Sequence, residues 1–341
     1  VPISRQQLSQ REIDSVLSEY DVGKVHSVSE LAAGSVYSPK VVVETDRGRM
    51  LLKRRARGLD IPILVAFSHQ VILECLKQGV CVPPLIGTRD RNSLVQFEDQ
   101  VYELFVFIEG IVFDRSPTMI AQHSQEAGAL LGEVHQRLDM ITPSFEAPIE
   151  PETIDLARIQ TIDRLSNQFS AELKEQLKRT FSYGAELAKA NSGQPKLVHG
   201  DWHPGNMIYR KEHIVAVCDF DNTRLGSLAR EVAQAMIHFS LRSPEKGQRA
   251  QDCAPDPDAS ALLGFWKGYK RGTTDSNRCS LKHCVGLMPA VMLDEALASY
   301  PAQAESGAVE QADSMMIAVA RKAIWLDQHQ SQLISMLDSN G

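Results

Sequence analysis

The stretch that most constrains the fold runs from His199 to Gly226, "HGDWHPGNMIYRKEHIVAVCDFDNTRLG". Met207–Tyr209 and Ile214–Val217 read as two short apolar strands around a polar turn, Arg210-Lys211-Glu212-His213, so the backbone must double back here. A hairpin brings its own flanks together. With Ile208 facing Val217, antiparallel pairing puts Asn206 opposite Asp219, and facing Cα atoms lie about 4.5–5.5 Å apart. Asp201 precedes Asn206 in a loop that contains Pro204 and Gly205. Asp201, Asn206 and Asp219 are therefore expected to converge through local geometry.

Two chemistries fit a strand that ends in carboxylates. Asp219-Phe220-Asp221-Asn222-Thr223 has the Asp-x-Asp-x-Thr form of haloacid-dehalogenase-like phosphatases, with Asp219 as nucleophile and Asp221 as acid/base. A strand ending in Asp also delivers a metal ligand to ATP in kinases, whose catalytic loop places a base and a metal-binding Asn at the Asp201–Asn206 separation. In that chemistry a carboxylate accepts a hydroxyl proton while an amide oxygen holds Mg2+ close by. A phosphatase would need later strand–helix units carrying a Lys and further paired acids. After Asp221 the pattern is helical, and Asp294-Glu295 in "VMLDEALAS" also lie on a helix pattern. The phosphatase reading leaves "HGDWHPGN" without a role. The expectation is a kinase constellation: Asp201 as base, Asn206 and Asp219 as metal ligands, and Asp221 as a supporting or second-metal acid.

The first third supplies a nucleotide lobe. Ser9 and Glu12 form a capping box before a short amphipathic helix that ends near Gly23. Lys40–Thr45 and Arg49–Arg54 read as strands joined at Asp46-Arg47-Gly48, and "FSHQVILECLKQG" as a helix closed by Gly79. Leu94–Phe97 and Val101–Phe107 form a second hairpin. Leu51 and Lys53 share a strand face; Leu51 would cover adenine and Lys53 would hold the α- and β-phosphates. Backbone N–H groups near Gly34 and Ser35 would meet phosphate. Phe105, Val106 and Phe107 would form a hinge whose backbone meets the adenine edge.

Beyond Gly110 the chain turns helical, with one long helical stretch expected from Pro151 to Asn191 and a polar loop at "PAQAESGAVEQ". A net charge of −7 opposes nonspecific nucleic-acid binding. The six cysteines are scattered, as expected in a reducing compartment. No apolar run has the length of a signal core or a membrane span, so a cytoplasmic protein without membrane contact is expected.

These residues together resemble the aminoglycoside phosphotransferase/choline kinase group, in particular its homoserine-kinase-like and stress-kinase-like members. "HGDWHPGN" is similar to the group's catalytic signature, "VCDFDNTRLGSLAREVA" to its metal strand and following helix, "ALLGEVH" to its helix motif ahead of the catalytic loop, and "LKQGVCVPPLIGT" to the turn between its first helix and the next strand. The resemblance implies an α+β, protein-kinase-like two-lobe fold, with a small antiparallel sheet in residues 1–108 and a mainly helical lobe in 109–341. It implies ATP and Mg2+ as cofactors, a small-molecule hydroxyl acceptor, and a loop-bracing role for His199. It also implies two departures. Glu231 stands where the group has an Asp that braces the catalytic loop. Glu74 is the one acid available on the first-lobe helix to pair Lys53, while His69 sits nearer the usual place. A nucleotide-binding module without catalysis, hinted at by Glu231, and a protein Ser/Thr kinase are the rivals. The acceptor pocket is expected among the helices after residue 230 and the 150–190 segment, where Asp294 and Glu295 would suit a cationic acceptor.

Overall fold

The structure is a computed structural model and describes residues 5–149, 154–190, 194–242, 244, 247–275, 278–305 and 309–339. Helix α1 (Gln10–Leu17) opens on the Ser9/Glu12 capping box and buries Ile13, Val16 and Leu17. It stops at Leu17, short of Gly23, because residues 18–22 turn the chain into the sheet. Strands β1 (Val25–Glu30), β2 (Lys40–Thr45), β3 (Gly48–Arg54), β4 (Val95–Phe97) and β5 (Gln100–Val106) form an antiparallel sheet in the order β1-β2-β3-β5-β4. Edge strand β1 has no counterpart in the sequence reading. Its run "VHSVSE" is almost wholly exposed, so there is no apolar alternation to reveal it. Helix α2 (Pro62–Lys77) packs behind the sheet and is closed by Gly79, whose φ of 77° suits glycine. Leu52, Leu104, Val43 and Tyr102 build the sheet core with Val16 and Tyr20.

The remainder is mainly helical. Helices α3 (Ile120–Leu138), α6 (Leu228–Ser240), α7 (Ala259–Gly272), α8 (Leu281–Glu305), α9 (Val309–Gln328) and α10 (Gln330–Ser339) pack around one large apolar core. Helices α3 and α7 approach closely through glycines: a Cβ on Gly268 would lie 1.9 Å from the Gln125 carbonyl oxygen, and one on Gly272 1.9 Å from that of Ala129. The expected single stretch from 151 to 191 is instead α4 (Arg158–Asp163) and α5 (Ala171–Ala190). The break at 164–170 docks sideways, because Ser166 Oγ and Gln168 Nε2 donate to Asp313 Oδ2 at 2.7 and 3.2 Å. The polar loop expected at "PAQAESGAVEQ" is helix up to Glu305 and again from Val309; residues 306–308 lie outside the described residues. Among the described residues no helix is long and apolar enough to cross a membrane.

Two small ribbons carry the chemistry. Strand β6 (Lys196–Val198) pairs with β9 (Arg224–Gly226), and β7 (Met207–Arg210) pairs with β8 (His213–Val217). The loop after β6 and the end of β8 both open toward the sheet.

Candidate active site

The β7–β8 register differs by one residue from the sequence expectation. Met207 faces Val217 and Ile208 faces Ala216, with an irregularity before Tyr209. Asn206 therefore faces Cys218, whose N–H donates to the Asn206 carbonyl at 2.8 Å. Asp219 reaches the site another way. It adopts a left-handed backbone (φ 67°, ψ 64°), sparsely populated for residues other than glycine. This turn redirects the chain at the strand end, and Phe220–Asn222 follow as a short 3₁₀ turn.

The loop that carries Asp201 is held from several sides. Asn206 Nδ2 donates to both Asp201 O (2.9 Å) and Asp201 Oδ2 (3.0 Å), which turns the amide oxygen away from Asp201. Fully buried His199 accepts from the Asp201 N–H through Nδ1 (3.2 Å), and its Nε2 lies 3.1 Å from the Cys218 carbonyl. His199 thus ties this loop to the end of β8. Glu231 also reaches: its Oε1 accepts from the Gly200 N–H at 2.5 Å, and its Oε2 meets His135 Nε2 of α3 at 2.7 Å. Trp202 Nε1 donates to the Ala127 carbonyl at 3.2 Å, which anchors the loop to α3.

Asp201 keeps a partly exposed carboxylate, with His203 Nε2 3.5 Å from its Oδ2. Burial opposes its charge, but His203 outweighs that, and the carboxyl lies below its ordinary range. His203 is correspondingly raised by Asp201 against its own burial. The role of base expected of Asp201 requires its ionised form, and removal of the His203 imidazole should raise its pKa. His203→Ala should move the acid limb of the kcat/KM profile to higher pH, since that limb reports the free enzyme's groups. An unmoved acid limb in a pH–rate series would separate His203 from the base.

Lys53 lies deeper than a phosphate-binding lysine on an open strand. It is 3% exposed. Its Nζ is 2.9 Å from Asp219 Oδ1, 2.6 Å from Asp221 Oδ1 and 3.2 Å from Glu103 Oε1. Glu103, the acid that sequence reasoning missed, stands directly across the β3–β5 pair from Lys53. Arg55 joins this cluster, with Nη2 2.9 Å from Glu103 Oε2 and Nη1 2.9 Å from Asp221 Oδ1. His69, at the helix position expected for an acid, meets Glu103 Oε2 at 2.7 Å instead. Glu74 pairs with Lys77 on the outer face of α2 at 2.7 Å, so the expected Lys53–Glu74 pair is replaced by Lys53–Glu103. Nothing in the sequence hinted at this, because β3 and β5 belong to different hairpins and only their pairing in the sheet sets position 103 beside 53.

Lys40 is a second missed cation. It faces Lys53 across β2–β3 and lines the same cavity. Burial, with Lys53 alongside, lowers its pKa. Asp219 is opposed by burial, yet Lys53 and Lys40 beside it hold its carboxyl well below the usual range. Asp221 goes the other way. Burial pushes it up to about 7, with Asp219 and Glu103 adding to the rise and Lys53 and Arg55 opposing it. Asp221 is wedged between Lys53 and Arg55, with its side chain 7% exposed.

The cavity between sheet and ribbons holds about 250 Å³ and takes in Gly34, Leu51, Phe105, Val106, Phe107 and Asn206, together with Asp219 and Asp221. Gly34 (φ 71°) enters it as expected. Ser35 does not line it; its hydroxyl accepts from the Tyr37 N–H at 3.2 Å. Arg5 ties the carbonyls of Ala33, Gly34 and Ser35 from outside. In the hinge, the N–H groups of Val106 and Phe107 are already donated to Pro84 O and Arg49 O, at 2.9 and 3.0 Å. Phe105, Val106 and Phe107 line the cavity together with Ile108.

An antiparallel sheet over a helical lobe, with a loop Asp, a loop Asn and a strand-end Asp facing a buried lysine, defines an ATP-dependent phosphotransferase of the protein-kinase-like fold. The chain belongs to the phosphotransferase enzyme family, which it matches over residues 28–269. It is 19% identical to a homoserine kinase of Beijerinckia indica subsp. indica over 237 residues, 66% of this chain and 68% of that protein. Among solved structures, a microcompartment-associated aminopropanol kinase superposes over 95% of this chain and 98% of its own, at 16% identity and a TM-score of 0.69. Amicoumacin kinase, solved with AMP-PNP, Ca2+ and Ami, superposes over 94% of each chain at 15% identity and a TM-score of 0.67. The protein is thus a small-molecule kinase, and the phosphatase reading of Asp219-x-Asp221-x-Thr223 falls. Asp221 is committed to Lys53 and Arg55, and the sheets around it are antiparallel ribbons.

Proposed function

We propose that Asp201 orients the acceptor hydroxyl and takes its proton while the γ-phosphoryl group of ATP is transferred to that oxygen. The observation that carries this reading is the meeting of Lys53, Asn206 and Asp219 on one cleft, with Asp201 hydrogen-bonded to Asn206 beside it. Residues up to about 108 form the nucleotide lobe and the rest the acceptor lobe. Leu51 covers the adenine, and Lys53 and Lys40 face the phosphates.

Mg2+ is the proposed metal, and the residues present fit it. Magnesium is bound by one or two carboxylates plus phosphate oxygens. The Asn206 amide oxygen is turned away from Asp201, and the Asp219 side chain, unlike that of Asp221, stays a quarter exposed. When bound, the ion would neutralise charge on the phosphoryl group in flight. The chain's own contribution is placement: His199 and Glu231 fix the loop that carries Asp201, and Glu103 fixes Lys53.

Asp219→Ala should weaken Mg-ATP binding strongly and metal-free ATP binding little. Isothermal calorimetry with and without Mg2+ separates the two. Equal loss in both titrations would make Asp219 a structural residue.

A further inference from the structure

Helix α8 opens on two cysteines that meet. Ser280 caps it: its Oγ accepts from the His283 N–H at 3.4 Å and its carbonyl from the Cys284 N–H at 2.9 Å. At a helix start, the residue before the cap and the fourth residue after it pack together. Those two positions hold Cys279 and Cys284. Cys284 is fully buried, while Cys279 is half-buried. The Cys284 S–H donates to the Cys279 sulfur. This bond, with one from the Tyr269 hydroxyl, holds the Cys279 thiol down to about 7 against its burial. Donation to Cys279, with burial, pushes Cys284 well up.

The pair ends a chain of polar contacts that leads to the loop of Asp201. The Tyr269 hydroxyl of α7 donates to Cys279 Sγ at 3.4 Å and lies 3.4 Å from His135 Nδ1. His135 Nε2 meets Glu231 Oε2, and Glu231 Oε1 accepts from the Gly200 N–H. Tyr269, His135 and Glu231 are all buried. A partner lost at one end must therefore be replaced from within the chain, because buried polar groups keep their hydrogen bonds.

We propose that Cys279 and Cys284 form an oxidation site, which a peroxide converts to an intramolecular disulfide that loosens the loop of Asp201 at Gly200. The Cys279 thiolate attacks one peroxide oxygen and becomes a sulfenic acid; the other oxygen leaves as water with the thiol's proton. The Cys284 sulfur then breaks the sulfenic S–O bond, and its proton departs with that oxygen as a second water. Two thiols and one hydrogen peroxide thus give one disulfide and two waters, and a dithiol reductant reverses the change. An accessible thiolate beside a resolving cysteine is the usual form of a redox sensor. The disulfide sulfur of Cys279 carries no charge and is drawn to Cys284. Tyr269 then turns to His135 Nδ1, the imidazole is drawn from Glu231, and the hold of Glu231 on Gly200 weakens.

The test uses hydrogen peroxide on the full chain and needs no substrate. Peptide mass spectrometry should find Cys279 and Cys284 joined, with a loss of two hydrogens that dithiothreitol restores. Hydrogen exchange in the peptide containing Gly200 should quicken by about two- to ten-fold on oxidation, the equivalent of one hydrogen bond, and recover on reduction. Cys279→Ser keeps a hydroxyl acceptor for Tyr269; it should form no cross-link and show no response to peroxide. Tyr269→Phe should still form the disulfide, with exchange at Gly200 no longer sensitive to it. Cys279→Ser carries the test alone should Tyr269→Phe fail to fold. Absence of the Cys279–Cys284 cross-link, or a cross-link with unchanged exchange, would overturn the proposal. Quickening of the same size in Cys279→Ser would assign the effect to another oxidised residue and overturn it too. The same quickening in Tyr269→Phe would remove the chain through His135.

Discussion

Asp201→Asn should cut kcat by about 10²–10⁴-fold, the usual contribution of a positioned acid–base group, with Mg-ATP affinity within a few-fold of the native value. The substitution keeps the shape of the side chain and removes its charge. Asp201 has no contact with Lys53 in the cleft; its partners are Asn206 and His203. The loss should appear with every acceptor, because all hydroxyls present the same proton. An affected Mg-ATP titration together with preserved kcat would mean that the acceptor and metal sides of the site are exchanged.

Glu103→Ala should be the most destabilising single change in the sheet, by about 3–5 kcal/mol, the cost of removing one partner from a buried ion cluster. Glu103 is fully buried, and Lys53, Arg55 and His69 all turn toward it. Its loss leaves two buried cations facing only Asp219 and Asp221. Lys53 should also lose its fixed position, so the ATP KM should rise in whatever fraction remains folded. By contrast, Glu74→Ala removes a partly exposed pair with Lys77 and should change stability by no more than about 0.5 kcal/mol. Chemical denaturation of both variants reads the difference. Equal effects would mean that the helix acid, not the strand acid, supports the nucleotide lobe. The same burial alters the expectation for Lys53→Ala: three carboxylates would lose their shared cation, so stability should fall along with nucleotide binding.

The candidate site residues could be singled out in the sequence because they are local. Asp201, Asn206 and Asp219 lie within one loop and one hairpin, so the chain keeps them near one another. The hairpin register was not legible to the residue. The irregularity before Tyr209 and the left-handed turn at Asp219 are backbone events that no periodicity reveals. Glu103 was hidden for a different reason. In "VYELFVF" a lone acid reads as the exposed face of a strand, whereas here both faces of β5 are covered, one by the sheet core and one by Arg55 and His69. Glu231 could be weighed only as a longer substitute for Asp; its reach depends on where α3 places His135. The break between α4 and α5 was invisible because its cause, Asp313, lies on a distant helix.

The most direct test of the central claim follows the γ-phosphate by 31P NMR in water enriched in 18O, with Mg-ATP and a panel of alcohols. The account predicts a phosphate monoester of the alcohol, carrying no 18O from solvent, formed by the native protein and lost in Asp201→Asn. Inorganic phosphate labelled from water as the sole product, or release of phosphate from a simple ester without ATP, would contradict it.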